Sequence, residues 1–145
     1  MLFLFHPSTA AAAPPSDACT LLTTEQVGAA LGGAVSAGKA IATGVCQWTE
    51  QGKPGEVLFK LDVNLVTPER YARFKTVTVG TKSNVGGLGD EAFYSTFTQG
   101  RTTLTTLYIK KGSAAVTFNV SGGMKSAEEY QAKEKAVAMA LLPKL

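Results

Sequence analysis

A chain of 145 residues that is 45% hydrophobic and 17% charged has the apolar supply for one domain around one core. Its 14 Lys and Arg against 11 Asp and Glu leave a formal charge of +3, far below the basic bias of a dedicated nucleic-acid binder, and nothing in the composition is collagenous, coiled or disordered. With one His, two Cys and one Trp, most catalytic and metal-site chemistries are short of parts from the outset.

Residues 1–16 carry no charged side chain. A short apolar run is followed by His6-Pro7, by Ala10-Ala11-Ala12-Ala13 and by Pro14-Pro15. The small residues 9–13 fit an A-x-A-type cleavage site, so this segment reads as the remnant of a secretory signal peptide whose start lies upstream. A disordered Ala/Pro-rich tail is the alternative. Residues 17–145 are then expected to form a single domain, secreted or periplasmic. No stretch reaches the roughly 20 apolar residues that a membrane span requires. Cys19 and Cys46 fit one disulfide in an oxidising compartment, with two buried free thiols as the other reading. Lipid attachment at Cys19 is rejected, because Ser16-Asp17-Ala18 puts a charged residue where a small or apolar one is needed.

Thr23 with Gln26 three residues later has capping-box spacing, and Val27, Ala30 and Leu31 keep a helical period as far as Gly32-Gly33, which predicts a helix over 24–31. Residues 35–41 are weakly strand-like. Cys46, Trp48 and Glu50 then alternate with Val45, Gln47 and Thr49, so Cys46 and Trp48 share a strand face. The clearest strand is 56–66, with Val57, Phe59, Leu61, Val63 and Leu65 on one face and Lys60, Asp62 and Asn64 on the other. Thr67-Pro68-Glu69 opens a helix by its N-cap, its first-position Pro and its first-turn acid, with Tyr71 and Phe74 facing inward.

Residues 80–89 are polar and Gly-containing and are expected to form a long loop. Strands over 92–98, 101–110 and 114–121 follow, joined by turn chemistry at Gln99-Gly100 and Lys111-Gly112-Ser113, which makes them antiparallel neighbours. Ser126 with Glu129 is a second capping box, opening a helix that runs to Leu142 with Tyr130, Val137 and Leu141 on its apolar side and Pro143 as its stop. The order α-β-β-β-α-β-β-β-α predicts an α+β fold: an antiparallel sheet of about five to six strands covered by two to three helices.

Gly87-Leu88-Gly89-Asp90-Glu91-Ala92 matches the string of a dinucleotide site, but that site needs a following helix to receive the pyrophosphate, and a strand is predicted instead. A tight turn with glycine at positive φ is the favoured reading, with Asp90 accepting backbone N–H bonds. His6, the sole His, lies in the segment read as removed, so no Ser-His-Asp or Cys-His set can be built from the mature chain. The carboxylates are scattered, and no cluster has zinc or EF-hand spacing, so no metal or other cofactor is expected. Basic residues form no stripe, and no nucleic-acid partner is expected. Trp48, Tyr94, Tyr108 and Met124 are candidates for a concave ligand site, with ordinary sheet packing as the alternative.

The string Cys19-Thr20-Leu21-Leu22-Thr23-Thr24-Glu25-Gln26-Val27, then Ala30-Leu31-Gly32, Cys46-Gln47-Trp48 and Gly87-Leu88-Gly89-Asp90-Glu91-Ala92-Phe93, resembles secreted and lipoprotein domains of unknown function from bacterial cell envelopes, notably of the actinobacterial type. The resemblance implies a small extracytoplasmic α+β domain with the outline of a PsbP-like sandwich, and no reaction or catalytic residues. The chain departs from lipoprotein members in lacking a lipobox. The function expected is that of a non-enzymatic, monomeric cell-envelope protein that binds a protein partner or small ligand. A secreted inhibitor or accessory subunit of an envelope enzyme, acting through a rigid exposed loop, is the alternative. An enzyme using converging carboxylates comes third.

Overall fold

The computed structural model describes residues 17–52, 57–77, 80–123 and 125–145. The segment 1–16 with its export signature, Glu56 at the expected start of the long strand, and the candidate Met124 lie outside the described residues.

The chain enters through a single 3-10 turn, Ala18–Thr20, set by the Asp17 carboxylate, which accepts from the Cys19 N–H at 2.9 Å. Helix α1 (Thr24–Leu31) starts at the predicted capping box: Thr23 Oγ1 accepts from Gln26 N at 3.1 Å and Gln26 Oε1 from Thr23 N at 3.0 Å. Strands β1 (Lys39–Ala42), β2 (Val45–Gln51) and β3 (Val57–Val66) precede helix α2 (Pro68–Val77), where Thr67 Oγ1 accepts from Arg70 N. Strands β4 (Thr81–Val85), β5 (Glu91–Gln99), β6 (Thr102–Lys111) and β7 (Ala114–Ser121) follow, and Ser126 caps the closing helix α3 (Ala127–Leu141).

The strands form one antiparallel sheet in the order β1-β2-β3-β7-β6-β5-β4. That makes the α+β architecture seven-stranded, more than the five to six expected. The added strand is β4, in the stretch read as a long loop. Its side chains from Thr81 to Asn84 are exposed and only Val85 packs on the core, so no apolar alternation marks it. It exists as a strand through its ladder with β5, from Thr81 opposite Thr96 to Val85 opposite Ala92. A polar strand carrying an exposed Lys is what a sheet edge tolerates without recruiting another chain. Of the weakly strand-like 35–41, Val35 makes an isolated bridge to Glu50 and the paired strand begins at Lys39.

The period-2 pattern sorts the two faces. Cys46, Trp48, Leu61, Val63, Leu107, Ile109, Val116, Phe118 and Val120 face α1 and α3 and form the main core with Val27, Leu31, Val137 and Leu141. The opposite face carries α2 at one end, where Tyr71 packs with Phe93, Tyr108 and Ala115, flanked by Val66 and Phe74. The glycines of the dinucleotide-like string serve the turn into β5. At Gly89, φ is +60° and a Cβ would lie 2.6 Å from the Lys110 carbonyl oxygen, so only glycine fits. Asp90 Oδ2 accepts from Gly112 N at 2.7 Å, tying this turn to the β6–β7 hairpin.

Gly38 serves packing. A Cβ there would stand 2.7 Å from both Cys46 Sγ and Trp48 Cε2, two rigid neighbours in the core. Gly38→Ala is therefore expected to destabilise the fold by roughly 1–3 kcal/mol through overpacking. Urea unfolding followed by Trp48 fluorescence measures this, and an unchanged midpoint would contradict it.

Candidate functional site

The three described aromatic candidates occupy three separate places. Trp48 is 1% exposed, packed in the main core beside the disulfide. Cys19 and Cys46 form that bridge, with Cα atoms 5.1 Å apart. Tyr94 lies under α3, its hydroxyl donating to the Gln131 carbonyl at 3.1 Å. Tyr108 is on the other sheet face, stacked on Phe93 with ring centroids 4.6 Å apart and tilted against Phe74. The structure thus brings Tyr108 together with α2, Trp48 with the disulfide and Tyr94 with α3.

Among the described residues, two carboxylates are buried, Glu134 and Glu50. Glu134 of α3 is fully enclosed against β6, where the Thr105 hydroxyl bonds both of its oxygens, at 3.2 Å to Oε2. Burial pushes its pKa up to about 9, against the opposing pull of the Thr105 hydrogen bond. Burial, and then the nearby Glu134, also raise the Tyr94 pKa. The neighbouring cation, Lys133, is spent elsewhere: its Nζ donates to the Leu31 carbonyl at 2.6 Å and sits 4.6 Å from the Phe59 ring centroid. Glu50 is 8% exposed, close against Gly33, with its Oε2 buried and lacking a hydrogen-bond partner.

Acids come nearest to a cavity at the α2 end of the sheet. A hollow of about 370 Å³ is bordered by Tyr71, Lys75, Asn84, Asp90 and Glu91. Lys75 Nζ holds Glu91 at 3.0 Å, and Asp90 is committed to the Gly112 N–H. The Tyr71 hydroxyl is buried without a well-formed hydrogen bond, and its pKa is raised by burial first and by the adjacent Glu91 carboxylate second. A base paired with a cation and a phenol held neutral do not make an acid/base couple ready for proton transfer near neutral pH.

The second sheet face continues beyond α2. Across it, Gln47, Asp62, Asn119, Thr106 and Ser95 align in register on five adjacent strands. Gln47 Nε2 donates to Asp62 Oδ1 at 2.8 Å, and Asn119 Nδ2 donates to the Thr105 carbonyl at 2.8 Å and to Thr106 Oγ1 at 3.3 Å. One row further on, Phe97 and Leu104 pair across strands while 37% and 44% exposed. Isolated exposed apolar groups are common, but a cross-strand aromatic–aliphatic pair continuous with a polar row, in which Gln47, Asp62, Asn119 and Thr106 are half-buried and Ser95 is buried, forms a surface with both binding chemistries.

At that same end the sheet splits. The β6–β7 ladder stops at Thr105 opposite Val120, while β6 continues in its hairpin with β5 and Ser121 stays paired with Lys60 of β3. A cleft of about 220 Å³ opens between the separated strands and the start of α3, bordered by Arg101, Thr102, Leu104, Ser121, Lys125 and Tyr130 among others. The Tyr130 hydroxyl fixes its floor, donating to the Gly122 carbonyl at 2.6 Å and accepting from Lys125 N at 2.9 Å. Sequence reasoning missed this cleft because Arg101 and Lys125 belong to different elements and read as scattered charge. The available signal was Gly122-Gly123 ending a strand just before a helix cap.

Among the described residues, no group of three or more His, Cys, Asp or Glu side chains is placed to hold a metal ion, and no helix is long and apolar enough to cross a membrane. No family model matches the chain, and no curated protein matches it.

Proposed function

We propose that the chain is a non-enzymatic, exported cell-envelope protein, of PsbP-like outline, that binds a protein partner or small ligand. The observation that carries this reading is the half-covered second sheet face, where a hydrogen-bonded polar row ends in the exposed Phe97–Leu104 pair. A rigid sheet presents such groups in fixed positions, so little conformational entropy is lost on binding. The disulfide fits an oxidising compartment. An inhibitor reading asks for a protruding loop at 80–89 or 122–125; in the first, β4 is paired into the sheet from Thr81 to Val85, and in the second the Tyr130 hydroxyl bonds Gly122 and Lys125.

The reading is tested in the native host with a photo-cross-linking residue at Thr106 or at Met139, which is exposed on the far side on α3. The expected result is recovery of the chain from the extracytoplasmic fraction with its N-terminus near Pro14, and an adduct at Thr106 that excess unlabelled protein suppresses. Recovery from the cytosol, or equal labelling from both positions, would overturn it.

A further inference from the structure

From the cleft between the separated ends of β6 and β7, we infer a binding site for a phosphate- or carboxylate-class oxyanion that carries an apolar substituent. Two cations, Arg101 and Lys125, border the cleft, and neither forms an ion pair with any described residue. Thr102 and Ser121 are among its lining residues, each with a hydroxyl able to donate to an anion's oxygens, and no described carboxylate lines it. The nearest acids in sequence, Glu128 and Glu129, lie outside the lining in the first turn of α3. An unpaired guanidinium beside an ammonium is the arrangement that recognises an oxyanion through charge-assisted hydrogen bonds. The backbone at Gly122 and Lys125 is anchored before any ligand arrives, because the Tyr130 hydroxyl donates to the Gly122 carbonyl and accepts from the Lys125 N–H.

Two further features narrow the ligand class. A volume of about 220 Å³ is below the roughly 300 Å³ at which sites for whole drug-sized molecules begin, so the cleft suits a head group. One wall is Leu104, whose cross-strand partner Phe97 extends an exposed apolar strip away from the cations. An inorganic anion would leave that strip in water, whereas an alkyl substituent would cover it.

The proposal deepens the binding reading above by naming a ligand class. Its test uses the purified chain, so failure here leaves the cross-linking result at Thr106 to stand or fall separately. Backbone amides are followed by NMR during titration with butyl phosphate and with inorganic phosphate. Butyl phosphate is expected to shift the amides of 102–104 and 121–125 and to bind about tenfold more tightly than inorganic phosphate. Arg101→Gln with Lys125→Gln is expected to weaken it at least about tenfold, and Leu104→Ser to abolish the preference for the alkyl ester. The control, Arg73→Gln with Lys39→Gln, removes the same charge elsewhere and should leave affinity unchanged.

Co-sedimentation with phosphatidylglycerol rather than phosphatidylcholine vesicles, lost in the Arg101/Lys125 variant, would assign the oxyanion to a lipid headgroup. Butyl phosphate binding without co-sedimentation would assign it to a soluble molecule. Both outcomes uphold the site. Absence of shifts in the two loops, or an equal loss in the control variant, overturns it.

Discussion

Replacing both cysteines, Cys19→Ala with Cys46→Ala, is expected to lower the stability of the fold by about 3–4 kcal/mol, the chain-entropy value for a loop of this length. The bridge closes a sequence separation of 27 residues, so in the unfolded chain it removes the freedom of the whole α1–β1 segment. In the folded chain its two ends are already positioned. Ala18, Leu21 and Leu22 are buried around Cys19, and Cys46 is wholly enclosed in the face that packs on α1 and α3. The variant should therefore still fold, with the same far-ultraviolet signature, and unfold earlier. At an m-value typical of a small protein the urea midpoint should fall by roughly 2 M. Trp48 is the only tryptophan and lies in the same core cluster, so its fluorescence reports on this corner of the molecule. An unshifted midpoint would mean that the unfolded state is already constrained there, and would remove the main stabilising role assigned to the bridge.

Which features were legible in the sequence depended on whether local chemistry or distant neighbours decided them. The start of α1 was readable because Thr23 and Gln26 satisfy each other's backbone N–H groups within one turn. Likewise Leu61, Val63 and their alternate neighbours declare a strand, since one face must be buried whatever covers it. Strand β4 was hidden because pairing with β5 alone makes it a strand, and its exposed polar side chains leave no periodic trace. Tyr94 and Tyr108 illustrate the same limit at the candidate site. They are an even number of residues apart, yet they belong to different strands whose register puts Tyr94 opposite Leu107 and Phe93 opposite Tyr108, which sends the two rings to opposite faces. The cleft at Arg101 and Lys125 depends on where the β6–β7 ladder stops, a property of three strands and a helix together. No spacing rule in one segment could reveal it.

Glu134→Gln is expected to flatten the dependence of stability on pH and to make the protein more stable than the wild type at pH 8. Glu134 sits in the apolar stripe of α3, between Tyr130 and Val137–Ala138, with no exposed surface. Burial raises its pKa to about 9, and Thr105 offsets part of that by hydrogen bonding the charged form. In the unfolded chain the same group titrates near the ordinary glutamate value of about 4.3. Between these two values the folded state holds one more proton than the unfolded state. The linked stability is thus fully present below about pH 4.3, falls by about 1.4 kcal/mol for each pH unit above it, and levels off once the folded group itself ionises near pH 9.

Glutamine keeps the shape of the protonated side chain and can still meet the Thr105 hydroxyl, but has no proton to lose. The stability difference between the variant and the wild type should therefore grow by about 4 kcal/mol from pH 5 to pH 8, in favour of the variant. Taking the difference between the two proteins cancels the titration of every other group. Urea unfolding of both at the two pH values measures it. Parallel pH profiles would show that the carboxylate is ionised inside the fold, and would require a paired cation that α3 does not supply, since the Lys133 ammonium is held by the Leu31 carbonyl and the Phe59 ring and Lys135 is exposed with no ion pair to a described residue. Because an apolar side chain would pack this position without any such dependence, the carboxyl lowers stability at every pH above its unfolded pKa relative to a neutral isostere, and its hydrogen bond to Thr105 fixes how α3 is seated on β6.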